Sequence, residues 1–177
     1  MKLKEKSPAE ALVSRLDALG WHISCAESCT GGLLAARLVD VPNASRVLEA
    51  SLVTYSNEAK MRYLRVPGGL LSQYGAVSQE VALSMAKGVA AENQAELGIG
   101  ISGVAGPGGG TVEKPVGMVC FGFSLPGREY ACTQHWLGLD RKRVRERSVD
   151  FALRKALEFL EETERERSEG KENENGD

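Results

Sequence analysis

The sequence predicts an α/β fold with an open sheet, in which three parallel strands are followed by an antiparallel hairpin. Three segments with strand patterns (21–26, 50–55 and 97–102) alternate with segments of helical period. A helix between consecutive strands brings the chain back to the same edge, so these strands run parallel with right-handed crossovers. Two further strand segments (116–124 and 129–136) flank a Pro-Gly turn and form the hairpin.

The first half of the chain carries clear start and stop signals for helices. Ser7-Pro8-Ala9-Glu10 combines a capping box with proline at the first helical position, and Gly20 ends that helix. A second helix follows the first strand and ends near Val39. Ser56 caps a short helix after the second strand, which is broken by the Pro-Gly-Gly at 67–69.

The second half continues the alternation of helices and strands. Residues 70–74 predict a helical turn, and 79–93 a longer helix with a buried apolar face. Strand 97–102 is apolar on both faces, as is typical of a central parallel strand. A final helix covers about 140–160. Residues 161–177 are charged without an apolar period, so we expect one domain (1–160) and a tail (161–177) in which a frayed helix passes into disorder.

Composition excludes several classes of protein. The 177 residues suit one domain, and no apolar run approaches the roughly 18 residues that cross a membrane. The N-terminus lacks a signal-peptide core, so we expect a cytoplasmic protein. Four cysteines without a C-x-x-C pair and two histidines argue against a metal site. Five bases in 141–147 favour a small anionic ligand rather than nucleic acid.

Polar residues follow each predicted parallel strand, at 27–32, 55–60 and 102–110. The carboxyl ends of parallel strands share one edge of the sheet, which is where ligands bind in open α/β folds. The hairpin brings residues 114–117 and the start of the last helix to that edge. The candidate site there contains a glycine loop (103–110) and the following side chains: Ser28, Thr30, Tyr55, Ser56, Asn57, Lys60 and Arg141.

Ser28 and Lys60 form a possible catalytic pair. Without a usable histidine, a serine nucleophile needs another base, and a lysine with a lowered pKa can serve. Lys60 lies in the first turn of a helix, where the dipole disfavours its charged form. Free N–H groups at the helix start after Ser28 are suited to an oxyanion or a phosphate. The alternatives are that Ser28 or Thr30 only caps a helix and that Lys60 is a solvated surface residue.

For the other candidate site residues, the sequence allows both a functional and a purely structural role. Tyr55 either relays a proton or holds the lysine, or it is a core aromatic residue. Cys29 is an alternative nucleophile, although it lacks a histidine partner. The glycine loop either wraps a phosphate or is a flexible connection, and it matches neither a P-loop nor a dinucleotide-binding motif. Arg141 and Arg145, four residues apart on one helix face, either bind an anion or are solvated.

Five motifs in order resemble the CinA C-terminal domain family, over roughly residues 8–160. They are Ala26-Glu27-Ser28-Cys29-Thr30-Gly31-Gly32, Thr54-Tyr55-Ser56-Asn57-Glu58-Ala59-Lys60, Gly75-Ala76-Val77-Ser78, Ser102-Gly103-Val104-Ala105-Gly106-Pro107 and Lys114-Pro115-Val116-Gly117. The resemblance implies a three-layer α/β/α sandwich with a mixed five-stranded sheet of order 2-1-3-4-5, strand 4 being antiparallel. The family's Asp-Arg-x-x-Val-Arg falls on Asp140–Arg145, and Leu139 is an extra residue before it.

The resemblance also implies an activity, since stand-alone members of the family include nicotinamide-nucleotide amidohydrolases. We expect hydrolysis of nicotinamide mononucleotide to nicotinate mononucleotide and ammonia, with no cofactor, and a homo-oligomer, a dimer being favoured. The catalytic candidates are Ser28, Lys60 and Tyr55. The substrate-binding candidates are Thr30, Gly31, Ser56, Asn57, Ser102, Gly103, Gly106, Arg141 and Arg145. Two alternatives are a nucleotide-binding or regulatory module without turnover, and a Ser/Lys peptidase, which would need an extended groove.

Overall fold

A mixed five-stranded sheet forms the centre of the protein. The computed structural model describes residues 6–174, with side chains for residues 6–166. The strand order is β2-β1-β3-β4-β5; β1 pairs in parallel with β2 and β3, while β4 is antiparallel to both of its neighbours. The strands are β1 (Ile23–Glu27), β2 (Leu48–Val53), β3 (Leu97–Gly103), β4 (Met118–Leu125) and β5 (Arg128–His135). The predicted fold class and strand order are confirmed.

Helices cover both faces of the sheet and make the sandwich three-layered. They are α1 (Pro8–Leu19), α2 (Leu33–Val39), α3 (Asn57–Leu64), α4 (Gly68–Tyr74), α5 (Gln79–Asn93) and α6 (Arg141–Glu174), with a 3-10 turn at Ala44–Arg46. Helices α1, α2 and α6 pack together over the larger hydrophobic core. Helices α3, α4 and α5 pack over a smaller core on the opposite face. The capping box of α1 and its stop at Gly20 form as predicted.

Glycines in the central strands let α5 lie unusually close to the sheet. A Cβ atom at Gly98 or Gly100 would lie 2.1 Å from a main-chain carbonyl oxygen of α5. Gly122 on β4 faces the same helix, with 2.3 Å to the Ala82 carbonyl. Any side chain at these positions would push α5 outward. Gly98 and Gly100 of β3 therefore serve the packing of α5 on the sheet.

The last helix is longer than the sequence predicts. We expected the packed helix to end near Leu160 and to fray into a disordered tail, whereas α6 continues to Glu174. Its acidic residues meet arginines from the folded domain: Arg15 on α1 pairs with Glu161 at 3.0 Å and also with Glu164, and Arg128 on β5 pairs with Glu162 and Glu166. These contacts hold charged turns against the domain. Residues 175–177 of the predicted tail lie outside the described residues.

Candidate active site

Ser28 and Lys60 meet at the carboxyl edge of the parallel strands. Ser28 follows β1 directly, and Lys60 lies in the first turn of α3. Lys60 Nζ lies 3.1 Å from Ser28 Oγ, and it donates to the main-chain oxygens of Thr54 at 2.8 Å and Tyr55 at 3.5 Å. The lysine side chain is only 1% exposed. The structure thus brings together the two residues that the sequence proposes as a pair.

The surroundings of Lys60 shift its protonation equilibrium toward the neutral form. Burial disfavours the ammonium ion and lowers the pKa of Lys60, while the charge of an ionised Cys29 would act in the opposite direction. Lys60 belongs to none of the ion pairs found among the described side chains. A neutral amine has two N–H groups and one lone pair. The two carbonyls can take the N–H groups, which leaves the lone pair for the Ser28 hydroxyl.

The Glu27 carboxylate accepts the N–H groups at the start of α2. The sequence did not predict this interaction. The buried carboxylate accepts N–H groups from Gly32 (3.0 Å), Leu34 (3.1 Å) and Ala35 (3.0 Å) and the hydroxyl of Ser51 (3.2 Å). A carboxylate at this position is also favoured by the helix dipole. The expectation that the N–H groups at this helix start are free for a phosphate is therefore wrong. An acidic residue at the end of a strand, six residues before the first residue of a helix without a side-chain cap, is the signal that could have revealed it.

Two other N–H groups in the loop between β1 and α2 make no hydrogen bond within the described main chain. The Ser28 N–H donates to the Ile101 oxygen at 2.9 Å, and the Gly31 N–H donates to the Ser28 oxygen at 3.1 Å. The N–H groups of Cys29 and Thr30 have no main-chain acceptor in the described structure. Gly31 adopts a positive φ of 58° to close this turn. The side chain of Thr30 is fully buried, and its hydroxyl has no partner among the described residues.

Two arginines of α6 hold the loops of the site. Arg145 donates from Nε to the Cys29 oxygen at 3.1 Å and from Nη2 to the Thr30 oxygen at 2.6 Å. Arg141, one turn earlier, donates to the Gly106 oxygen at 2.8 Å and to the phenolic oxygen of Tyr55 at 3.1 Å. The sequence left open that these two arginines are only solvated. The structure shows instead that both bind other parts of the protein.

The extra residue Leu139 does not displace these arginines. Asp140 caps α6 by accepting the Arg143 N–H at 2.9 Å, so the helix begins at Arg141. Gly138 has a positive φ of 77°, and Leu139 packs against the hydrophobic core. The insertion is therefore absorbed in the turn before the helix.

Tyr55 approaches Lys60 through its main chain and not through its ring. The side chain is 63% exposed, and its hydroxyl binds Arg141. The alternative of a core aromatic residue is therefore wrong, because β2 ends at Val53 and leaves Tyr55 in the loop. Ser56 caps α3 by accepting the Ala59 N–H at 3.0 Å, and Asn57 is the exposed first residue of that helix.

The loop after β3 is packed tightly against the start of β4. Ser102 is buried and donates to the Ala76 oxygen at 2.6 Å. A Cβ at Gly103 would lie 2.6 Å from Val119, and one at Gly106 would lie 2.4 Å from Val116. These residues therefore shape the loop, and their contact with a substrate stays a prediction. Next to the loop is a cavity of about 620 Å³, lined by Ala105, Pro107, Val116, Gly138, Leu139, Asp140 and Arg141.

Cys29 is poorly suited to act as the nucleophile. Burial raises the pKa of its thiol to about 12, although its own N–H and the neighbouring Arg145 and Lys60 act to lower it. The thiolate, which is the reactive form, is therefore scarce at neutral pH. Among the described residues, no three His, Cys, Asp or Glu side chains are arranged to hold a metal ion. No described helix has the length and apolar character needed to span a bilayer.

The fold and this geometry define a three-layer α/β protein with a serine hydroxyl beside a buried lysine at the carboxyl edge of its parallel strands. The chain belongs to the CinA C-terminal domain family, whose model matches residues 5–160. The resemblance carried by the five sequence motifs is therefore confirmed.

Two relatives of different length illustrate how much of each protein the chain matches. A CinA-like protein of Kosmotoga olearia is 46% identical over 149 residues, which are 84% of this chain but 36% of that protein. The chain thus spans about a third of such relatives. The nicotinamide-nucleotide amidohydrolase PncC of Enterobacter agglomerans is 46% identical over 147 residues, which are 82% of this chain and 89% of that protein. A CinA superfamily structure from Klebsiella pneumoniae superposes with a TM-score of 0.83 at 34% identity, covering 88% of this chain and 96% of that one.

Proposed function

We propose that the protein is an amidohydrolase that converts nicotinamide mononucleotide to nicotinate mononucleotide and ammonia through Ser28 and Lys60. The observation that carries this proposal is the 3.1 Å contact between Ser28 Oγ and the buried Lys60 Nζ. The name of the PncC relative, most of whose length the chain covers, supports the choice of substrate. The predicted cytoplasmic location and oligomer, and the division into domain and tail, also remain proposals.

Acylation begins with the neutral Lys60 amine. It takes the hydroxyl proton as Ser28 Oγ attacks the carboxamide carbon, which gives a tetrahedral oxyanion and a Lys60 ammonium ion. The available N–H groups of the loop after Ser28 stabilise the oxyanion. The ammonium ion then protonates the leaving nitrogen, the C–N bond breaks, and ammonia departs from the acyl-enzyme.

Deacylation repeats the same proton transfers with water. Lys60 removes a proton from water, whose oxygen attacks the ester carbon, and returns the proton to Ser28 Oγ as the ester bond breaks. The product is a carboxylate, so one water is consumed for each ammonia released. The pyridinium of the substrate withdraws electrons from the amide and makes its carbon more electrophilic.

Arg141 and the glycine loop are the proposed contacts for the substrate phosphate. Glu27 occupies the start of α2, so that helix offers no anion site. The cavity beside Arg141 has room for a nucleotide, and the guanidinium is exposed on its wall. Tyr55, bound to Arg141, orients the arginine that would receive the phosphate.

The test is ammonia release from nicotinamide mononucleotide by the purified chain and by Ser28→Ala and Lys60→Ala. Lys60→Ala is expected to lower kcat by about 10²–10⁴-fold, the contribution of a general base. Ser28→Ala should abolish acyl-enzyme formation. Ser72→Ala and Lys87→Ala are matched controls on the surfaces of α4 and α5 and should keep full activity.

Calorimetry on the same samples separates the alternatives. Binding of nicotinamide mononucleotide without ammonia release by the wild type would favour a nucleotide-binding module instead. Release by Ser28→Ala at the rate of the wild type would show that Ser28 is not the nucleophile.

A further inference from the structure

Arg145 is bound to main-chain oxygens of the loop that carries Ser28. The half-buried guanidinium donates to the Cys29 and Thr30 oxygens, at 3.1 Å and 2.6 Å. An arginine that recognises a phosphate normally presents two parallel N–H groups to it. Arg145 gives Nε and Nη2 to two main-chain oxygens of one loop, whereas one of the two Arg141 donors binds only the exposed side-chain hydroxyl of Tyr55, which a ligand can displace. This difference points to a role for Arg145 other than substrate binding.

The two carbonyl contacts fix the orientation of two peptide units. In a trans peptide the C=O and N–H groups point in opposite directions. Because the Cys29 oxygen is turned toward Arg145, the N–H of the same peptide, which belongs to Thr30, is turned away from Arg145. The next peptide is held through the Thr30 oxygen, and its N–H, on Gly31, closes the turn onto Ser28. Of these two N–H groups, only that of Thr30 lacks a main-chain acceptor.

The charge of Arg145 also strengthens the Thr30 N–H as a donor. A cation at a carbonyl oxygen draws electron density through the peptide, and hydrogen bonds in such chains strengthen each other by about 10–30% per bond. An oriented N–H group costs no reorganisation when charge develops nearby, and this is how oxyanion holes work. Orientation and polarisation therefore act on the same N–H group.

We infer that Arg145 is a positioning residue that orients and polarises the Cys29–Thr30 peptide, so that the Thr30 N–H stabilises the oxyanion formed when Ser28 attacks the amide. This inference rests on the proposed function. It assigns Arg145 a place in the transition state without contact to the substrate, in contrast to Arg141 on the cavity wall. The two roles predict opposite kinetics, because a lost transition-state interaction lowers kcat whereas a lost uniform binding contact raises KM.

The experiment compares kcat and KM of Arg145→Ala and Arg145→Lys with those of Arg37→Ala. Arg37 also ties α2 to α6, through Asp150 at 3.2 Å, but does not touch the Ser28 loop. Arg145→Ala is expected to lose about 10²–10³-fold in kcat, as after removal of an oxyanion-hole donor. Its KM should stay within about threefold of the wild type. Added guanidinium ion should restore part of the lost kcat by donating to the same two carbonyl oxygens. Arg37→Ala should keep kcat.

The possible results decide the inference. A raised KM with unchanged kcat would make Arg145 a substrate contact and overturn it, as would unchanged values of both. If Arg145→Ala does not fold, Arg145→Lys carries the test, because lysine can reach one carbonyl and should show a smaller loss of kcat.

A second readout remains if the wild type releases no ammonia and the proposed function fails. A fluorophosphonate labels an activated serine by forming a bond from Oγ to phosphorus as fluoride leaves, and its charged intermediate needs the same N–H group. Slower labelling of Ser28 in Arg145→Lys than in the wild type would support the inference. Equal labelling of both, or of neither, would overturn it.

Discussion

Replacing Glu27 by glutamine should destabilise the protein strongly without changing its shape. The Glu27 carboxylate is fully buried and accepts four hydrogen bonds, three from main-chain N–H groups at the start of α2 and one from Ser51. An amide of the same size offers one acceptor oxygen and one NH₂ group. The NH₂ group must then face donors that the carboxylate had satisfied.

The hydrogen-bond pattern sets the size of the effect. Glutamine loses least if its NH₂ group replaces Oε1, because the Ser51 hydroxyl can rotate to accept while only the Ala35 N–H is left unpaired. A buried donor without a partner costs about 1–3 kcal/mol. Loss of the negative charge at the helix start adds about 0.3–1 kcal/mol. The three remaining bonds also lose their charge assistance. We expect a decrease of about 2–4 kcal/mol in the free energy of unfolding.

Thermal and urea unfolding measure this prediction directly. For a chain of this length the expected decrease corresponds to a fall in Tm of about 4–16 °C. Glu58→Gln is the matched control, since Glu58 also lies in the first turn of a helix but is exposed. A Glu27→Gln variant within about 0.5 kcal/mol of the wild type, the usual range of neutral surface changes, would refute this account of the α2 start.

Two further predictions concern the neighbours of Ser28. Cys29→Ala should keep at least a third of the wild-type kcat, and iodoacetamide should label Cys29 slowly at pH 7.5, because burial holds the pKa of the thiol near 12; loss of activity would instead support Cys29 as the nucleophile. Lys60→Met should change how stability depends on pH. The pKa of Lys60 is lowered in the folded protein. Between the folded-state pKa and about 10.5, the unfolded chain therefore binds more protons than the folded one. The free energy of unfolding of the wild type should accordingly rise with pH across this window, relative to that of Lys60→Met. Urea unfolding at several pH values measures it, and a constant difference between the two proteins would contradict the lowered pKa.

The fold could be predicted because its signals are local and mutually consistent. Helix caps such as Ser7, the alternation of strands with helices, and the short turn before β5 together leave few topologies open. The extent of α6 was not predicted. The α6 turns after Leu160 lack an apolar period, and partners such as Arg15, distant in sequence, help to hold them against the domain. The periodicity of apolar residues carries no information about ion pairs between residues that are far apart in sequence.

The site could be predicted as a set of residues but not as a set of contacts. Parallel topology alone brings Ser28 and Lys60 to one edge, so their meeting follows from the order of strands. The roles of Glu27 and Arg145 depend on which carbonyl or N–H group each side chain reaches. That choice is made by loop geometry, for example the positive φ of Gly31, and periodicity carries no information about it.

The dependence of the Ser28 loop on α6 has a consequence during synthesis. Arg145 follows Cys29 by 116 residues. At about 5–20 residues per second, a ribosome adds that stretch in roughly 6–23 s. Throughout this time the nascent chain already contains Ser28 and, after the first seconds, Lys60, but it lacks the guanidinium that holds the loop between them. A polypeptide released before residue 145 would therefore contain both proposed catalytic residues without the Arg145 contacts to the Ser28 loop, and we expect such a fragment to be less active than the full chain.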